Sequence, residues 1–102
     1  MLIYNIDISQ TASSGAWSFN TPKFDNVLMK QIIVKAATST TTFHVTITDN
    51  KNNTVFQTNT KATGTLREET EIPLKGIHTI AVSGASVDEL FVGKIMFIEG
   101  SS

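Results

Sequence analysis

Phe43-His44-Val45-Thr46-Ile47-Thr48-Asp49 runs directly into Asn50-Lys51-Asn52-Asn53, and the two halves of that stretch read differently. Phe43, Val45 and Ile47 alternate with His44, Thr46 and Thr48, the period of a strand with one buried face. Asp49 to Asn53 is a dense run of residues that tolerate turn geometry, flanked by strand formers, which predicts a hairpin connection. The same alternation recurs outward in both directions. Leu2, Tyr4, Ile6 and Ile8 alternate with Ile3, Asn5, Asp7 and Ser9, and Trp17 and Phe19 share one parity in the same way after a Ser13-Ser14-Gly15 turn. Residues 27–36 form a long apolar strand, Phe56 continues the chain after the hairpin, and Ile77–Val82 and Leu90–Ile98 are strands separated by Ser83-Gly84-Ala85-Ser86. Leu66 and Ile72 share a parity within the charged Arg67, Glu68, Glu69, Glu71 segment, which predicts an edge strand or a solvated strand face ending at Pro73.

Thr, Val, Ile and Phe dominate, and Leu, Ala and Glu never fall into a helical period. About eight short strands with turns between them predict an all-β fold, an antiparallel β-sandwich of jelly-roll or Greek-key type. At 102 residues one sandwich domain over 1–102 is expected. The chain begins in a strand and leaves only Glu99-Gly100-Ser101-Ser102 as a tail.

Composition excludes several function classes. The net charge is -1 with basic residues scattered singly, so the concentrated positive stripe of a nucleic-acid binder is missing. There is no cysteine, hence no disulfide and no Cys-ligated zinc. No apolar run reaches the length of a membrane-crossing helix, and the first residues lack a signal-peptide pattern.

The candidate chemical sites read as structural. His44 faces outward among threonines, and His78 shares parity with Leu74, Ile80 and Val82; neither stands beside a second metal ligand. Asp49–Asn53 lacks the glycine and terminal glutamate of a calcium loop, and no nucleophile elbow is present. Thr38–Thr42 reads as a polar hairpin loop. A glycan-binding face would have to rest on an exposed Trp17, a residue better used in packing. No catalytic residue, cofactor or metal is expected.

Two strands break the one-face pattern. In residues 27–36, Leu28, Ile32, Val34 and Ala36 share one parity while Val27, Met29 and Ile33 take the other. In residues 90–98, Phe91, Ile95 and Phe97 oppose Leu90, Val92, Met96 and Ile98. Burial of each such side chain is worth roughly 1.5–3 kcal/mol, so a second apolar face demands a cover. Two covers remain open: residues 10–26 with Trp17, Phe19 and Phe24, or a protein interface formed by Val27, Met29, Ile33, Val92, Met96 and Ile98.

The stretches 28–36, 43–49, 64–69, 72–80 and 85–91 resemble small virion-associated proteins of tailed phages, a likeness that spans about residues 24–98. The resemblance implies a structural, non-enzymatic role in a virion made in the host bacterial cytoplasm. It implies a capsid decoration or cement subunit, often a homotrimer, that binds the major capsid protein or other virion proteins, with neither nucleic acid nor membrane as partner. A neck, tail or baseplate accessory role is the alternative within the particle, and a glycan-binding module the alternative outside it. Many such proteins carry an N-terminal arm; here Met1 leads straight into a strand, so docking through the second apolar face is expected instead.

Overall fold

The computed structural model describes residues 3–58 and 62–99, which hold nine strands and no helix. The strands are β1 (Ile3–Ala12), β2 (Trp17–Asn20), β3 (Phe24–Ala36), β4 (Thr42–Asp49), β5 (Thr54–Gln57), β6 (Ala62–Thr63), β7 (Thr65–Gly76), β8 (His78–Ser83) and β9 (Glu89–Glu99). Leu2 and the tail beyond Glu99 lie outside the described residues.

The pairing is nested around one turn. β4 pairs β5 across Asp49–Asn53, then β3 pairs β7, β2 pairs β8 and β1 pairs β9, all antiparallel. The chain is therefore one long two-stranded ribbon folded at that turn. The ribbon is rolled up so that β9 also meets β3 and β8 also meets β4. Two sheets result, β1-β9-β3-β7 and β2-β8-β4-β5, with β6 added beside the start of β4. This strand order is that of a jelly roll.

Local chemistry sets the ribbon's tip. The Asp49 carboxylate accepts the Lys51 and Asn53 backbone N–H groups at 2.9 Å each and the Asn53 side-chain amide at 3.2 Å, and Asn52 takes φ 64°. Aspartate and asparagine suit this turn because a short polar side chain bonds its own backbone and tolerates a positive φ. The Asn53 N–H, followed by that of Lys51, holds the Asp49 carboxyl below its ordinary value. A depressed carboxylate contributes stability that is present above the unfolded-state pKa and is lost as pH falls through the folded one. A carbon-detected NMR titration should place the Asp49 midpoint below that of the urea-unfolded chain; an equal or higher midpoint would show that the turn does not bind the carboxylate.

The core lies between the sheets. Phe91 sits at its centre, edge-on to Phe43 at 5.0 Å between ring centroids and tilted against Trp17 at 5.9 Å, and Phe97 packs on Phe24 at 4.8 Å. Ile32, Val34, Val45, Ile47, Ile80, Val82 and Ile95 are among the aliphatic side chains buried with them. Ring pairs at these distances add to the stabilisation from buried area alone.

Two turn expectations are corrected. Residues 37–41 join β3 in one sheet to β4 in the other, so the threonine loop is an inter-sheet crossing and not a hairpin. The buried Glu89 carboxylate anchors it by accepting Thr38 N–H at 2.6 Å and Thr38 Oγ1 at 3.2 Å. Gly64, at φ +71°, closes the same corner, since a Cβ there would meet Ser39 O at 2.6 Å. Pro73 does not end its strand; β7 continues to Gly76. β7 is an edge, and an edge strand pairs on one side only, so a missing N–H is tolerated there.

Candidate protein interface

β9 lies inside the sheet β1-β9-β3-β7, and its residues alternate strictly. Phe91, Ile95 and Phe97 are buried, so Leu90, Val92, Lys94, Met96 and Ile98 point away from the core. The register places five rows across that outer face. Ile3, Ile98, Leu28 and Pro73 form a wholly apolar row, and Met96 sits in the next between Asn5 and Gln31. Asp7, Lys94, Ile33 and Arg67 make the third, Ser9, Val92, Lys35 and Thr65 the fourth, and Thr11 and Leu90 the last.

The face is open. Ile3 is 62% exposed, Leu90 56% and Val92 52%, while Leu28, Ile33, Met96 and Ile98 are half-buried among their neighbours in the sheet. Residues 10–26 do not cover it: Trp17–Asn20 is a strand of the opposite sheet, and Phe24 opens β3 with its ring on Phe97 inside the sandwich.

Four of the six residues expected on this face are there: Ile33, Val92, Met96 and Ile98. Val27 and Met29 are not; they are 8% and 0% exposed and belong to the core. The cause is a bulge in β3. Met29 pairs Phe97 and Gln31 pairs Met96, so Lys30 is an extra residue on β3 and parity switches across it. Just before the bulge Val27 and Met29 point inward, and after it Ile32, Val34 and Ala36 do. Leu28, assigned by simple alternation to the inner face, consequently lies outside opposite Ile98. Its trace in the sequence is the adjacent pair Lys30-Gln31, two polar residues that an unbroken alternation would place on opposite faces. Ile3 and Leu90 complete the patch.

The remaining candidates are placed as follows. Trp17 is 7% exposed, stacked on Phe19 at 5.9 Å with its Nε1 buried, so it offers no platform for a sugar ring. His78 is a core residue tilted against the Phe24 ring, whereas His44 faces out from the opposite side of its sheet, with Nδ1 3.4 Å from Thr58 Oγ1. Among the described residues no group of three or more His, Asp or Glu side chains could hold a metal ion. Arg67, Glu68, Glu69 and Glu71 lie exposed along the β7 edge, where Glu71 pairs Lys30 at 2.7 Å and is held below its ordinary pKa by that lysine.

The fold defines a jelly-roll β-sandwich with one sheet face left partly apolar. No protein-family model matches the chain, and no curated protein does. Among solved structures, those of infectious bursal disease virus, Gx and Gt strains, align over 99% of this chain at 12% and 13% identity with TM-scores of 0.40 and 0.34. The chain spans 32% of the length of each of those chains. These overlaps are too loose to establish a shared fold, so the jelly-roll assignment rests on the strand order.

Proposed function

We propose that this protein is a non-enzymatic structural component of a virus particle, a decoration or cement subunit that docks on the assembled shell. The observation that carries the reading is the open apolar row Ile3, Ile98, Leu28 and Pro73 with Met96 beside it, on a sheet face that no described segment covers. Asp7, Lys94 and Arg67 stand two rows along from that row and Lys35 three, so charged side chains flank the apolar end of the face on one side, and apolar contact is combined with polar contact as at a protein interface. The resemblance of residues 24–98 to tailed-phage virion proteins supplies the particle, with the major capsid protein or another virion protein as the docking partner.

Strands about 4.8 Å apart and rows about 6.8 Å apart make this face roughly 600 Å², the lower end of what one partner contributes to a specific complex. A single copy would bind weakly. Copies linked to one another and docked together gain by avidity, which suits a protein spread over a repeating shell.

Immunogold electron microscopy on particles banded from a culture that carries the gene tests the proposal. Regular label over the head supports decoration, and label confined to the neck or tail assigns the accessory role. Absence of the protein from the banded particles overturns the virion reading.

A further inference from the structure

Each sheet has two edges, and the chain treats its two long edges differently. β7 carries Arg67, Glu68, Glu69, Glu71 and Lys75 and contains Pro73, the features that keep an exposed edge from recruiting another strand. β1, on the opposite side of the same sheet, is ten residues long, has no proline and no lysine, pairs β9 without a register shift, and bears one charge, Asp7. In an antiparallel pair every second residue turns its N–H and C=O away from its partner, so β1 presents a regular ladder of backbone groups outward. The edges of the other sheet, β2 and β5, are four residues each and offer little to pair with.

We infer that β1 is a pairing edge, and that its occupant is β1 of a second copy, running antiparallel about a two-fold axis. This holds independently of the virion reading, because it concerns the rim of the sheet and not its face. A second copy is the fitting occupant because β1 is the one long unguarded edge among the described strands. Electrostatics also permits it. A register with Ile8 or Ile6 on the axis sets Asp7 opposite Ser9 or Asn5 of the other copy, so the lone carboxylate meets a hydrogen-bond donor and not its own image. The product is an eight-stranded sheet whose two outer faces are continuous.

Hydrogen–deuterium exchange on the wild-type protein at rising concentration reads the pairing directly. Alternate β1 amides should slow about tenfold when nine-tenths of the chains are paired, and recover on dilution. A mass that stays monomeric in light scattering, or β1 exchange that ignores concentration, overturns the inference. Met96→Asp separates rim from face: β1 protection that survives it belongs to the edge, and protection that vanishes assigns the association to the face and overturns edge pairing. Charge exchange supplies the geometry. Asn5→Asp/Ser9→Asp should be monomeric alone, as should Asn5→Lys/Asp7→Lys/Ser9→Lys, and an equal mixture of the two should regain the dimer mass. An acidic variant that still dimerises, or a mixture of two folded variants that does not, shows that the β1 strands do not face each other.

Discussion

Gly93→Ala is expected to remove a large part of the stability of the folded state. Gly93 lies in the middle of β9, opposite Ile8 on one side and Val34 on the other. A Cβ at this position would penetrate the Ile33 carbonyl oxygen and stand 2.9 Å from the Ile33 carbonyl carbon and 3.1 Å from Val34 Cα. All three atoms are backbone of the neighbouring strand, so no rotamer change relieves the clash; β9 and β3 would have to separate. The expected loss is about 4 kcal/mol or more, against the 5–15 kcal/mol that holds a typical domain folded. Urea unfolding followed by circular dichroism measures it, and a midpoint near that of the wild type would show that the two strands can part without harm.

Met29→Asp and Met96→Asp should behave as opposites. Met29 is fully buried, and an aspartate there would be an unpaired charge in an apolar core, enough to unfold the protein. Met96 lies half-buried on the outer face beside Asn5 and Gln31, where aspartate loses only strand propensity and some packing, about 1 kcal/mol. The folded Met96→Asp protein should then fail to dock on the particle. Thermal melts of the two variants side by side test the bulge at Lys30 itself, since unbroken alternation would make Met29 the tolerant position. Unfolding by both would assign Met96 to the core.

The same pair of methionines shows what was legible in the sequence. Strand positions were readable because period-two alternation is a local property, and β4, its Asp49–Asn53 turn and the alternation of β9 all stand where the pattern puts them. The exposure of β7 was readable for the same reason, since charges cluster where a strand stays in water, but whether it was an edge or a solvated face was settled only by the strand order. Facing was readable only up to the first irregularity. Parity counting assumes one residue per step, and the extra residue at Lys30 inverted the assignment of Val27, Leu28 and Met29 while leaving that of Ile33 unchanged. Which strands lie side by side was not readable: β1 meets β9 through residues 77 to 95 positions apart, and no local pattern carries that pairing. Proline was misjudged because its effect depends on whether the strand is an edge, a fact of the assembled sheet.

Nesting the strand pairs around a single turn also orders the route by which the chain reaches this state. Closing a loop costs entropy that grows with its length, so the β4–β5 contact, with only a few residues to span, is the least expensive to form, and each completed pair shortens the gap the next must bridge. The last contact to close joins the first and last strands, Ile3 to Ile98. During synthesis β1 therefore waits, its apolar inward side chains Ile6 and Ile8 unmatched, until β9 has left the ribosome.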